Sequence, residues 1–150
     1  MKRNIIYDYL DTENAVIALL KDYKKYEYIL KSVDNEILEL ENQMHTLGAV
    51  KLDGMPRGTN VRGREGYIVD LIAQKDMCIE KKERASEYMK KMTPALSMLD
   101  DDEFEIINGI YINGQVPVKI LAQDLGYAVP TIHKMKDEAV AALSLILYGR

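Results

Sequence analysis

An unbroken heptad repeat in the first third of the chain is the feature that most limits how it can fold. Ten apolar or tyrosine residues follow one another in alternating steps of three and four: Val16, Leu19, Tyr23, Tyr26, Leu30, Val33, Ile37, Leu40, Met44 and Leu47. This spacing predicts one helix over 12–47 with a single buried stripe, capped by Asp11 or Thr12 and stopped at Gly48. A helix of about 35 residues is about 50 Å long, so its stripe needs another long helix as a partner.

A second long helix is predicted over 65–92, where the chain has no proline and no glycine after Gly66. Its apolar stripe is less regular, because Lys75 and Lys82 interrupt it. The residues assigned to this stripe are Ile68, Leu71, Ile72, Ile79, Met89 and Met92. We interpret 12–47 and 65–92 as an antiparallel, coiled-coil-like helical hairpin within a first domain of residues 1–93.

The irregular second stripe indicates that the hairpin leaves apolar surface for another copy of the chain. We therefore expect a homo-oligomer, with a homodimer as the simplest form. The positions expected to hold the copies together lie in the first stripe: Leu19, Tyr23, Tyr26, Leu30, Val33, Ile37 and Leu40.

The segment between the two long helices, residues 48–64, is predicted to be a loop, because it holds four glycines and one proline and shows no apolar period. It is also the most basic part of the chain. Arg57, Arg62 and Arg64 are candidates for contact with DNA phosphates. The alternative interpretation is a solvated linker whose charge serves solubility.

The remaining residues, 94–150, are predicted to form three helices at about 102–113, 117–125 and 129–147. Thr93 and Pro94 either end the second long helix or start a new turn, with Thr93 as its cap. Apolar residues give the last two helices inward faces, and a glycine that requires a positive φ separates them. These residues are Leu121, Ala122 and Leu125, then Gly126, then Ile132 and Met135. The spacing predicts a helix-turn-helix.

The C-terminal residues resemble region 4 of bacterial sigma factors. The resemblance rests on Phe104, Ile107, Tyr111-Ile112-Asn113-Gly114, Val118, Leu121-Ala122, Leu125-Gly126-Tyr127, Thr131-Ile132-His133, Ala139 and Leu143. The whole layout, with Met55-Pro56-Arg57-Gly58 between two long helices, is similar to small phage proteins of Gram-positive hosts, including ArpU- and RinA-type late transcription regulators. The resemblance implies a regulator that binds double-stranded DNA and contacts RNA polymerase in the cytoplasm of a bacterial host.

In a bound helix-turn-helix, the first half of the second helix enters the major groove. The candidate DNA-binding residues are therefore Lys119, Val129, Thr131, His133, Lys134 and Lys136. A threonine offers a methyl and a hydroxyl to base edges, and a lysine favours guanine acceptors. Each residue also has an ordinary alternative role in a helix start or a solvated face. Ala128 departs from such motifs, which usually have Ser or Thr there to cap the helix.

Charge and composition limit the other classes of function. The chain carries a net charge of −4, and residues 99–150 hold four basic and eight acidic side chains, which disfavours tight DNA binding by one isolated copy. The single cysteine, Cys78, fits a reducing cytoplasm, and no run of about 18 apolar residues predicts a membrane span. No grouping predicts a metal, a cofactor or an enzyme. The alternatives to a regulator are a small terminase-like packaging component and a protein-interaction module that no longer binds DNA.

Overall fold

Helices account for nearly all of the chain that the structure describes. A computed structural model describes residues 11–52 and 61–149. Its elements are α1 (Thr12–Lys21), α2 (Tyr23–Leu52), α3 (Val61–Ser97), α4 (Asp101–Ile107), a π-helical segment (Asn108–Ile112), α5 (Val118–Leu125) and α6 (Val129–Tyr148). No strand occurs among these residues, which confirms the prediction of an all-α fold.

The described residues divide into two compact units. Residues 11–26 and 88–149 form the terminal unit, and residues 27–52 and 61–87 form the central unit. The predicted boundary lay between residues 93 and 94, whereas the terminal unit includes residues 11–26 and the end of α3 in addition to the described part of the predicted C-terminal domain.

The terminal unit is built around a core to which α1, α3, α4, the π-helical segment and α6 contribute. Its buried residues are Val16, Leu20, Tyr88, Met92, Ala95, Leu96, Ile107, Ile112, Ala139, Val140 and Leu143. Three positions of the predicted first stripe, Leu19, Tyr23 and Tyr26, pack against this core. The ring of Tyr26 stacks on that of Tyr88 at a centroid distance of 4.1 Å. The start of the heptad stripe is therefore covered within a single chain.

The predicted helix over 12–47 is interrupted at Asp22, where α1 ends and α2 begins. The amide of Asp22 donates to the carbonyls of Ala18 and Leu19, both at 3.2 Å. The Tyr88 hydroxyl also donates to the Leu19 carbonyl, the acceptor that Tyr23 would use in a continuous helix. The Tyr88 hydroxyl thus bonds to the Leu19 carbonyl at the point where the predicted helix breaks.

In the central unit, ion pairs join α2 to α3. The pairs are Asp34 with Lys82 at 2.6 Å, Glu36 with Lys81 at 2.7 Å, and Glu41 with Lys75 at 3.0 Å. Residue numbers rise along α2 while they fall along α3, so the two helices run antiparallel in this unit. All six side chains are partly solvated, so each pair contributes at most about 1 kcal/mol.

The inward face of α3 differs from the predicted stripe. Leu71 and Ala85 are buried as a helical period requires, but Ile72 and Ile79 are 47% and 37% exposed. Lys75 instead lies on the face that meets α2, because a lysine can cover apolar surface with its stem while its ammonium reaches a carboxylate. The assignment of Ile72 and Ile79 to the packed stripe is therefore wrong.

Three predicted helix ends are also wrong. Gly48 lies inside α2, which continues to Leu52, and α3 begins at Val61, so both ends of the predicted loop 48–64 are helical. Pro94 and Thr93 lie inside α3, which continues to Ser97. A glycine costs a helix only about 1 kcal/mol. The helix continues past Pro94 because Ala95 and Leu96 are buried in the core.

Candidate nucleic-acid interface

A short turn joins α5 to α6 and sets the direction in which α6 leaves. Gly126 adopts φ +76°, the left-handed conformation that favours glycine, as the sequence predicts. The amides of Gly126 and Tyr127 both donate to the Ala122 carbonyl at 3.0 Å. Ala128 then has extended backbone, and α6 begins at Val129 with Pro130 in its first turn, where a proline costs no hydrogen bond.

A small apolar cluster beneath the turn joins α4, α5 and α6. Its buried members are Ile106, Ala122 and Ile132, and the half-buried residues packed against it are Ile110, Val118, Leu125 and Met135. The predicted inward positions of the second helix, Ile132 and Met135, therefore do pack inward. Their burial leaves the opposite face of the first turns of α6 at the surface.

The candidate DNA-binding residues of α5 and α6 lie mostly at the surface. Lys119, Val129, His133 and Lys134 are exposed, and Thr131 is half-buried. Lys136 differs, because only 21% of its side chain is exposed. The first two turns of α6 thus present a mixed apolar, polar and cationic surface.

Acidic residues on α6 accompany both of its lysines. Lys134 lies 3.9 Å from Glu138, and Lys136 lies 3.6 Å from Asp137. Both contacts are long, and Glu138 and Asp137 are well exposed, so the contacts hold the side chains weakly. They nevertheless offset the positive charge that α6 offers to a phosphate.

The start of α4 brings further negative charge beside α6. Asp100 caps α4 by accepting a hydrogen bond from the Glu103 amide at 2.8 Å, which holds the pKa of Asp100 below its usual value. Partial burial and the negative charges of Asp100 and of Glu138 on α6 raise the pKa of Glu103. We call Asp100, Asp102, Glu103 and Glu138 the acidic flank of the candidate interface.

One hydrogen bond links the acidic flank to the turn. The Tyr127 hydroxyl donates to Oδ2 of Asp102 at 2.6 Å, and this carboxylate raises the pKa of Tyr127. Sequence reasoning missed the contact, because its partners lie 25 residues apart and neither belongs to an apolar period. No side chain caps α6, since Ala128 offers no acceptor.

The other predicted features belong to the central unit or lie outside the described residues. Arg57 lies outside the described residues, and Arg62 and Arg64 lie in the first turn of α3. Among residues 11–52 and 61–149, no three His, Cys, Asp or Glu side chains are grouped to hold a metal ion. No helix in that same part of the chain is long and apolar enough to cross a bilayer.

Comparisons with protein families, with curated proteins and with solved structures found no match to this chain.

Proposed function

We propose that the chain is a phage-type regulator of transcription that binds double-stranded DNA with a helix-turn-helix formed by α5 and α6. The start of α6 would enter the major groove, and RNA polymerase would be a further partner in the bacterial cytoplasm. The antiparallel arrangement of α2 and α3 would be part of a hairpin that carries this unit. The proposal rests on the residues that resemble sigma region 4 and on the geometry around the turn.

The observation that carries the proposal is the open surface of the first turns of α6. The left-handed Gly126 and the packing of Ile132 turn one face of α6 into the protein, which leaves His133 and Lys134 at the surface beside the turn. Lys134 would read guanine acceptors, and Thr131 would contact a thymine methyl or a phosphate. A good base contact of this kind contributes about 1–3 kcal/mol to discrimination between sequences.

The test starts with selection of DNA from a random pool, followed by mobility shifts on the selected sequence and on a scrambled one. Replacing Thr131 and Lys134 together by alanine should weaken binding to the selected sequence at least about tenfold, because the base contacts are lost. Circular dichroism must show that the variant keeps its helices.

Lys25→Ala is the matched control for the lysine. Its side chain is 77% exposed against 76% for Lys134, and it too pairs with an acid on its own helical face, Asp22 at 3.2 Å. The variant therefore removes the same charge from a comparable environment. Equal effects of Lys25→Ala and Lys134→Ala would contradict the assigned reading role, and no binding by the wild type at low salt would contradict DNA binding itself.

Association of two copies is part of the same proposal. The predicted positions Leu30, Val33, Ile37 and Leu40 are at least half-buried within one chain. The apolar side chains that stay exposed on α3 are instead Tyr67, Val69, Ile72, Met77 and Ile79. Light scattering should give the mass of a dimer, and Ile72→Glu should shift it to that of a monomer, because Val69, Ile72 and Ile79 share one exposed face of α3.

The acidic flank favours one second candidate, a protein-interaction module that does not bind DNA. Negative charge at Glu103 and Glu138 beside the first turns of α6 would repel a DNA backbone and attract a basic protein surface. The same mobility shifts separate the two candidates. A module of this kind would show no shift of any DNA at low ionic strength, where phosphate contacts are strongest.

A further inference from the structure

The start of α6 has no side-chain cap, and its packing comes from Ile132 on the inner face. The turn before it contains Gly126, the residue type with the widest range of backbone conformations. The two amides of the turn share one acceptor, the Ala122 carbonyl. Ile132 packs the inner face of α6 into the apolar cluster, so a further contact at the turn would restrict the outer face, which carries the candidate base contacts.

Tyr127 supplies such a contact from outside the two helices. Its hydroxyl lies 2.6 Å from the Asp102 carboxylate in the first turn of α4. That turn is itself fixed, because the Asp100 carboxylate accepts from the Glu103 amide at 2.8 Å. The body of α4 is anchored by Ile106, which is fully buried in the apolar cluster beneath the turn. The tyrosine therefore joins the turn before α6 to the first turn of α4.

We propose that Tyr127 is a positioning residue for sequence reading: its bond to Asp102 fixes the start of α6 before DNA arrives, so that Thr131 and Lys134 meet base edges in one orientation. This role rests on the proposed function. It acts through preorganisation, because a turn that is already held in place lowers the entropic cost of ordering it when DNA binds. Tyr127 touches no phosphate in this role, so the ionic part of binding does not depend on it.

The first arm of the test measures affinity for selected and for scrambled DNA. Tyr127→Phe keeps the ring and removes the hydroxyl, and should weaken binding to the selected sequence by roughly three- to tenfold, the effect of losing one exposed hydrogen bond to a charged group. Affinity for scrambled DNA and the slope of log K against log salt should stay as in the wild type.

The second arm changes the acceptor. Asp102→Ala removes it, whereas Asp102→Asn keeps an amide oxygen that accepts from the same hydroxyl and should restore most of the selectivity. Removing an acid near DNA also relieves repulsion, so Asp101→Ala is the matched control. Asp101 is an exposed neighbour in the same helical turn. The selectivity lost in Asp102→Ala beyond that in Asp101→Ala measures the contribution of the hydrogen bond between Tyr127 and Asp102.

A third arm detects the hydrogen bond between Tyr127 and Asp102 in the absence of DNA. The Asp102 carboxylate raises the pKa of Tyr127, so Asp102→Ala should lower the pKa of that phenol in an NMR titration, and Asp101→Ala should not. The hydrogen-bonded amides of Tyr127, Thr131 and Ile132 should exchange faster with solvent in Tyr127→Phe while the overall unfolding transition stays in place.

The outcomes separate the two proposals. Wild-type selectivity in Tyr127→Phe overturns the positioning role and leaves the DNA-binding proposal intact. Equal loss on selected and scrambled DNA also overturns it, because preorganisation for base reading predicts loss on the selected sequence alone. Absence of any DNA binding by the wild type overturns the proposed function, and the positioning role with it, whatever the titration shows.

Discussion

Replacing Gly109 by alanine should destabilise the terminal unit by about 1 kcal/mol, although alanine is ordinarily the better helix residue. A Cβ at position 109 would lie 3.1 and 3.3 Å from the two Cδ atoms of Leu121 and 3.3 Å from Cβ of Val116. Carbon atoms prefer about 3.5–4.0 Å, and overpacking of this kind costs about 1–3 kcal/mol. The conformational gain from glycine to alanine returns about 0.5–1 kcal/mol.

Urea unfolding followed by circular dichroism measures this change, which corresponds to about 4–8 °C in Tm for a unit of roughly 60–100 residues. Gly66→Ala is the matched control, because Gly66 lies in α3 and a Cβ there would meet nothing within 4 Å. The control should leave stability unchanged or raise it by up to about 1 kcal/mol.

Removing the crowding atoms provides the decisive comparison. Leu121→Ala deletes both Cδ atoms, so the cost of Gly109→Ala should shrink in the double variant, and the two changes should be less than additive. Strict additivity, or a Gly109→Ala protein as stable as the Gly66→Ala control, would refute the claim that the close approach of Leu121 requires a glycine at 109.

Three further changes test other contacts. Tyr88→Phe should lower the free energy of unfolding by about 1 kcal/mol, measured in urea, because the hydroxyl bond to Leu19 is lost. Burial raises the pKa of Tyr88, so above about pH 10 the unfolded chain loses this proton first, and the wild type should lose more stability than the variant. Pro94→Ala should increase the free energy of unfolding by about 1–3 kcal/mol, because it restores an amide donor within α3, and a higher Tm in thermal unfolding would show this. The bond from Lys81 lowers the pKa of Glu36, so stability from this pair is present above about pH 4 and falls as the carboxylate is protonated; Glu36→Gln should flatten acid denaturation curves there.

Local patterns in the sequence predicted the parts of the fold that depend on neighbours along the chain. The heptad spacing identified Val16 and Val33, which are fully buried, and a glycine at the end of an amphipathic helix identified the left-handed turn at Gly126. Both signals arise from residues within one or two helical turns of each other. The all-α fold and the ends of α5 and α6 follow from such signals.

The features that the sequence did not predict arise from contacts between distant residues. The break at Asp22 coincides with a hydrogen bond from Tyr88, a residue 69 positions from the Leu19 carbonyl that it reaches. The inward face of α3 was misassigned because a lysine in an apolar period looks like an interruption until its carboxylate partner is known, as for Lys75 and Glu41. The hydrogen bond between Tyr127 and Asp102 has no local signal either, because its partners lie 25 residues apart.

The charge around the turn constrains how such a unit could bind DNA. The α5–α6 region carries three lysines, Lys119, Lys134 and Lys136, and three acids, Asp124, Asp137 and Glu138. DNA affinity from phosphate contacts grows with the number of counterions released, and three lysines offset by three acids can release few. The affinity of one copy would therefore depend mainly on base contacts, and these require that α6 is held in a fixed orientation. Two linked copies would add affinity by raising the effective concentration at a second half-site, without any further positive charge.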